Sequence, residues 1–203
     1  MTRFFLIRHA ATNDGHIRLF GRKTDVPLSA AGRAQGECLA QCLIEQGIAG
    51  IYSSPQLRAL ETARFLENVL CRPVRIAPEL DELDYGDWSG RTFEELSGLS
   101  EWRVFNSARS WARVPGGEFM PDLQARIVGL LERLRRLHGD ETLALVSHAD
   151  VIRAALAHCL GMSLDLSLRL EVATGSVTVV ELDGEGSRVM CVNTMGALNG
   201  AIG

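Results

Sequence analysis

Arg3-Phe4-Phe5-Leu6-Ile7-Arg8-His9-Ala10-Ala11-Thr12 is the stretch from which the fold is read. Phe4 to Ile7 is a short apolar run with no alternation, bounded by charge on both sides. Such a run fits a strand covered on both faces, and two covered faces need helices above and below. The run stops at Arg8-His9, so the strand hands two ionisable side chains to whatever lies past its carboxyl end.

Working outward, strand-like and helical stretches alternate. Ser29 predicts a capped helix to about Gln46 with Gly47 as its stop. Ile48 to Ser53 reads as a second strand. Pro55, placed just inside a helix start, opens Gln56 to Leu70. Val74 to Ala77 is a short strand, and the acidic stretch Asp81 to Gly90 is a loop. Thr92 to Ala112 predicts short helices, broken by Pro115-Gly116-Gly117. Leu123, Ile127, Leu130, Leu131 and Leu134 mark one stripe of a helix over Asp122 to Leu137. Thr142 to Ser147 is a strand, and the next helix carries Ile152, Ala155, Leu156 and Cys159 to a stop at Gly161. Ser176 to Leu182 and Arg188 to Asn193 flank Asp183-Gly184-Glu185-Gly186 as a hairpin, so one strand runs against its neighbours. The expected fold is a three-layer α/β/α sandwich with a mostly parallel central sheet and an antiparallel strand. One domain, 1–203, is expected, with residues 81–117 inserted over one end of the sheet.

Composition narrows the function classes. Of 203 residues, 46% are hydrophobic and 23% charged, as in ordinary globular proteins, and the net charge is −4. No overall basic field exists to hold nucleic acid or an anionic membrane. No apolar run approaches a membrane span, and Phe4 to Ile7 is too short for a secretory signal. Cys38, Cys42, Cys71, Cys159 and Cys191 are odd in number, without a C-x-x-C pair. They read as reduced thiols of a cytoplasmic protein, with Cys38 and Cys42 as small core residues. Nothing in the sequence sets an oligomeric state.

In open α/β sheets the ligand binds outside the carboxyl ends of the strands. Four segments end there: Arg8-His9-Ala10-Ala11-Thr12, Ser53-Ser54-Pro55 through Arg58, Asp81-Glu82 through Trp88, and Ser147-His148-Ala149. Two histidines, two arginines and a carboxyl thus gather on one rim. Arginine forks grip phosphate oxygens, histidine serves as nucleophile or donor, and a carboxyl as general acid. The residues point to an anionic, phosphorylated small molecule.

These motifs resemble those of the histidine phosphatase superfamily, also called phosphoglycerate mutase-like. Leu6-Ile7-Arg8-His9 with Thr12 is similar to its signature. Asp25-Val26-Pro27-Leu28-Ser29 with Gly32, Arg58 with Glu61-Thr62-Ala63, Glu82 with Gly86-Asp87-Trp88-Ser89-Gly90, and Val146-Ser147-His148 with Ile152-Arg153 follow in the family's order. The resemblance implies that His9 is the nucleophile and carries the phosphoryl group. It implies that Arg8, Arg58 and His148 bind phosphoryl oxygens, that Glu82 is the proton donor, and that Thr12 and Ala149 add substrate contacts. No metal or other cofactor is implied, because fixed cations supply the electrostatics. Glu118 in Pro115-Gly116-Gly117-Glu118 matches a motif of phosphatase members, including α-ribazole phosphatases, which implies substrate contact or loop anchoring. Two positions depart from the family: Ala10 replaces the glycine after the nucleophile, and Gly15 stands where a phosphate-binding asparagine is common.

Other features read more plainly. Asp81, Asp84 and Asp87 form a solvated acidic turn, and Arg126, Arg133, Arg135 and Arg136 a solvated helix face. Trp102, Phe105, Trp111 and Phe119 are candidates for the substrate mouth. Gly21-Arg22-Lys23-Thr24 lacks the spacing of a phosphate-binding P-loop. The expected function is a phosphomonoesterase acting through phosphohistidine. A phosphoglycerate mutase is the alternative, disfavoured by the short segment after Glu82 and the short tail. An idle phosphate-binding or protein-interaction module is the second alternative, disfavoured because no catalytic residue is missing.

Overall fold

The computed structural model describes residues 1–23 and 25–196; the end of the glycine-rich tail lies outside them. The run Phe4 to Ile7 lies inside β1 (Thr2–Arg8), and five more strands complete the sheet: β2 (Ile48–Ser53), β3 (Val74–Ile76), β4 (Thr142–Ser147), β5 (Val177–Leu182) and β6 (Ser187–Thr194). Their order is β3-β2-β4-β1-β5-β6. The β2–β3, β2–β4 and β1–β4 pairs are parallel, whereas β1–β5 and β5–β6 are antiparallel. This is the expected mostly parallel sheet with one reversed strand.

The lack of alternation in β1 follows from its position. Phe5 and Ile7 join Ala144 and Val146 under α1 (Ala30–Cys42) and α2 (Leu57–Leu70). Phe4 and Leu6 join Leu143 and Leu145 under α5 (Met120–His138) and α6 (Ala149–Cys159). Phe4, Phe5 and Ile7 have no exposed surface. Truncating one of these phenylalanines to alanine costs about 3–5 kcal/mol, transfer and cavity together.

Local chemistry sets the element ends. Ser29 Oγ accepts from the Gly32 amide and caps α1. Helix α1 ends at Cys42, and a tighter turn over Ile44–Gln46 then runs to Gly47, whose φ of 64° is left-handed. Pro55 lies ahead of α2 rather than inside it; Gln56 is the cap and Leu57 the first helical residue. Ser54 therefore remains on the rim. Cys38 is exposed and Cys42 half-buried, so neither is the core residue expected, because the buried face of α1 is Gly32, Gly36, Leu39 and Ala40.

Register brings the rim together. Arg8 pairs with Ser147, and Ser53 with Val146. Just past these pairs, the His9 amide donates to Ser147 O at 2.9 Å and the Ser54 amide to Val146 O at 2.9 Å. Beyond the rim, α3 (Phe93–Ser97) and α4 (Ser100–Ser107) stand on an aromatic cluster, with Trp88 5.3 Å from Trp102 and 5.5 Å from Phe105 between centroids. No helix among the described residues is long and apolar enough to cross a membrane.

Candidate active site

A cavity of about 660 Å³ opens over the carboxyl ends of β1 and β4, lined by Arg8, His9, Thr12, Arg58, Glu82 and Ala149, among others. Six of the sequence-predicted residues therefore meet in one place. His148 lies directly behind, with no exposed surface. Its ring meets that of His9 edge to face at 5.1 Å. Glu118 does not line the cavity, and its carboxylate is engaged elsewhere, as described below.

The hydrogen bonds of His9 define its tautomer. Nδ1 lies 2.8 Å from the Ala10 carbonyl, which only accepts, so Nδ1 carries the proton. Nε2 then holds a lone pair, and Arg58 Nε donates to it at 3.3 Å. Burial pulls the imidazole pKa well below the usual histidine value, and the charges of Arg58 and Arg8 pull it further. His9 is thus a neutral imidazole with a lone pair at the cavity floor.

Arg58 is fixed on four sides. Nη2 donates to Gly21 O at 2.7 Å and lies 3.2 Å from His148 Nδ1, while Nη1 donates to Lys23 O at 3.0 Å. His148 Nε2 is 2.8 Å from Ser54 Oγ. Burial, then Arg58 and His9, hold His148 neutral as well. Arg8 Nη1 donates to Val172 O at 2.6 Å, and its buried Nε has no protein partner. That guanidinium lines the cavity.

Glu82 has the opposite electrostatic setting. Oε1 accepts from the Leu83 amide at 2.9 Å, so Oε2 is the oxygen that takes a proton. Burial pushes the carboxyl up to about 7, and Asp150 adds to the rise. The Leu83 amide, Arg58 and Arg8 oppose it. Burial would also raise Asp150, but Arg109 and Arg153 with the Tyr85 hydroxyl bring it down to about 2. Asp150 accepts from Tyr85 Oη and pairs with Arg109 Nη1 at 2.9 Å and Arg153 Nη1 at 3.3 Å. Asp150 is thus a permanent anion, whereas the Glu82 carboxyl keeps its proton up to near neutral pH.

The family profile described as "Histidine phosphatase superfamily (branch 1)" matches residues 4–195. The chain belongs to the histidine phosphatase superfamily. Phosphoserine phosphatase 1 of Hydrogenobacter thermophilus is 28% identical over 95% of this chain and 92% of that protein. A probable phosphoglycerate mutase GpmB of Yersinia enterocolitica is 30% identical over 89% and 85%. Among solved structures, Bacillus stearothermophilus YhfR aligns with a TM-score of 0.87 at 29% identity, covering 93% of this chain and 95% of that one. An α-ribazole phosphatase from Shigella flexneri shares the fold at 24% identity, TM-score 0.84, over 96% and 98%.

Two departures from the histidine phosphatase pattern have local causes. A Cβ on Gly15 would stand 2.5 Å from Thr12 Oγ1, so the hydroxyl of Thr12 occupies the room an asparagine stem would need. Ala10 has no exposed surface, and its amide donates to Thr62 Oγ1 at 3.0 Å, so a methyl is accommodated there.

Arg153 stands in a motif quoted above and Tyr85 in the acid loop, but the sequence assigns no role to Arg109 or Asp150. Tyr85, Arg109, Asp150 and Arg153 all line the cavity. Of the aromatic mouth candidates only Trp102 lines it; Phe105 is fully buried beneath, Trp111 points to solvent at 73% exposure, and Phe119 stacks under Arg113. Asp81 is no solvated turn residue: Oδ1 accepts from Gln56 Nε2 at 2.8 Å and from the Glu82 amide at 2.8 Å. Arg126 is likewise not on a solvated face, because that flank of α5 packs under the acid loop.

Proposed function

We propose that the chain is a phosphoric monoester hydrolase that turns over small phosphorylated metabolites through a phosphohistidine on His9. The observation that supports this most directly is the lone pair of His9 Nε2, held neutral at the cavity floor with Arg58 against it.

Nε2 attacks phosphorus, and the P–O bond to the substrate alcohol breaks. Arg58 Nε, displaced from the lone pair, turns its hydrogen bond to a phosphoryl oxygen. Arg8 offers its guanidinium, and the N-terminus of α6 at Ala149, which lines the cavity, favours an anion there. These fixed donors stabilise charge on the transferring group. Arg58 Nη2 only donates, so His148 Nδ1 accepts from it and the neutral ring keeps its proton on Nε2, donated to Ser54 Oγ. When a phosphoryl oxygen draws Arg58 Nη2 away, the ring proton moves to Nδ1 and Ser54 Oγ turns to donate to Nε2, and His148 then binds that oxygen through Nδ1. Glu82 Oε2 gives its proton to the departing alkoxide. A water then enters, loses a proton to Glu82 and attacks phosphorus, releasing phosphate and restoring His9. Thr12 contributes a hydroxyl donor.

The cavity is much larger than a phosphoryl group, which leaves room for that water. A mutase reading draws support from the 30% identical relative named as a probable phosphoglycerate mutase. A panel of phosphate monoesters ranked by kcat/KM separates the two. Release of inorganic phosphate at the rate of substrate loss supports hydrolysis; isomerised phosphoglycerate without phosphate release supports the mutase.

A further inference from the structure

We propose that Glu118, Arg22 and Arg126 form a clamp that positions Glu82 for proton transfer, a role that rests on Glu82 being the acid. The clamp closes on the main chain of the acid. Arg22 Nε donates to the Glu82 carbonyl at 2.9 Å, and Arg126 Nη2 donates to the same oxygen at 3.1 Å. Both guanidiniums are tied to one carboxylate: Arg22 Nη2 reaches Glu118 Oε2 at 2.9 Å, and Arg126 Nε and Nη2 reach Oε1 and Oε2 at 2.8 and 3.0 Å. Burial alone would raise Glu118, but its bonds to Arg126 and the charges of Arg126 and Arg22 hold it below the usual range, so it stays ionised.

The backbone of the Pro115–Glu118 turn is pressed against the acid loop as well. The Glu118 amide donates to Asp84 O at 2.8 Å, and the Asp87 amide to Pro115 O at 3.0 Å. A Cβ on Gly86 would lie 2.2 Å from Pro115 O, and one on Gly117 2.3 Å from Asp84 O. The two glycines allow the segments to touch, and Glu118 then reaches over to lock the arginines. Arg22 carries a second connection. Its neighbours Gly21 and Lys23 give their carbonyls to Arg58, so one three-residue segment is held by the phosphoryl-binding arginine and holds the acid. This places the acid and the cation at fixed separation. None of the three clamp residues lies within hydrogen-bond reach of the carboxyl of Glu82; they act through its carbonyl.

The test compares single-turnover phosphorylation of the enzyme by an alkyl phosphate and by p-nitrophenyl phosphate, in Glu118→Gln, Glu82→Gln and the double variant. A misplaced acid hurts the alkyl substrate, whose leaving group needs the proton. A misplacement near 1 Å costs about 10²-fold, so Glu118→Gln should slow the alkyl phosphate by roughly 10–100-fold and p-nitrophenyl phosphate by much less. In the Glu82→Gln background the same change should add nothing to that preference, because the group being positioned is gone. Equal loss on both substrates, or an undiminished loss in the double variant, overturns the clamp while leaving Glu82 as the acid. If Glu82→Gln itself shows no leaving-group preference, the acid assignment falls and the clamp with it. Should Glu118→Gln fold poorly, Arg22→Lys keeps the charge but not the fork, and the same comparison decides.

Discussion

His9 and His148 face each other edge to face at 5.1 Å because Arg8 and Ser147 are register partners at the ends of adjacent parallel strands. Each strand hands over one imidazole, and Arg58 lies against both. His9→Ala is expected to abolish hydrolysis and leave the melting temperature close to wild type, since the ring lies past the sheet core. Turnover with labelled substrate, quenched in alkaline detergent, should fail to label that variant, whereas the wild type should yield a base-stable, acid-labile phosphoenzyme. Label on a serine would refute the assignment.

The pH profile of kcat/KM follows from two opposite shifts. His9 must be neutral, and its pKa lies well below the usual value, so the acidic limb should fall well under pH 6.5. Glu82 must be protonated, and its carboxyl titrates at about 7, so the alkaline limb should fall near there. Asp150→Asn removes an anion that favours the neutral acid. The alkaline limb should then move to lower pH, with the acidic limb left in place. An unmoved alkaline limb would detach Asp150 from the acid.

Stability carries the same signature. The carboxyl of Glu82 is raised from 4.5 to about 7 on folding, so between those values the folded chain holds a proton that the unfolded chain has lost. Stability from this group is complete below about pH 4.5 and declines as pH rises through about 7. Glu82→Gln cannot lose a proton. Its melting temperature relative to wild type should therefore climb between pH 4.5 and pH 8, and a constant difference across that range would contradict the shifted pKa.

Much of this was readable from the chain. The apolar run Phe4 to Ile7, the stripe on α5 and the residues after each strand are local patterns, and the sheet places strand ends together as a rule. The clamp and the Asp150 network escaped because they are pairings between distant residues. Arg22 meets Glu118 across 96 positions, and Tyr85 meets Asp150 across 65. Periodicity put Arg126 on the outer face of α5, correctly as geometry, but that flank is covered by the acid loop and not by water. Pro55 misled by one step: its fixed φ suits a first helical turn, yet the helix begins two residues later so that Ser54 stays beside His148.

Chelation should leave the activity intact. In the proposed reaction Arg8 and Arg58 place fixed positive charge where the phosphoryl group transfers, the task a divalent cation performs in other phosphoryl-transfer enzymes. Activity measured after EDTA treatment and desalting is expected to match the untreated enzyme. A loss that Mg²⁺ or Zn²⁺ restores would show that the arginines do not suffice.

The roles of Glu82 and Arg58 separate by leaving group. An alkyl alkoxide needs a proton as the P–O bond breaks, whereas a nitrophenolate leaves without one. Glu82→Gln keeps the shape and can still accept from the Leu83 amide, but an amide nitrogen stands in place of Oε2 and cannot supply the proton. General acid catalysis typically contributes about 10²–10⁴-fold, so phosphorylation of His9 by an alkyl phosphate should slow by a factor of that order more than phosphorylation by p-nitrophenyl phosphate. Arg58→Ala removes a donor that both substrates use, together with the bonds to Gly21 and Lys23 carbonyls. Both substrates should then lose a similar, large factor. If Glu82→Gln slows both equally, the proton comes from another group, and Glu82 contributes only charge and shape at the cavity wall.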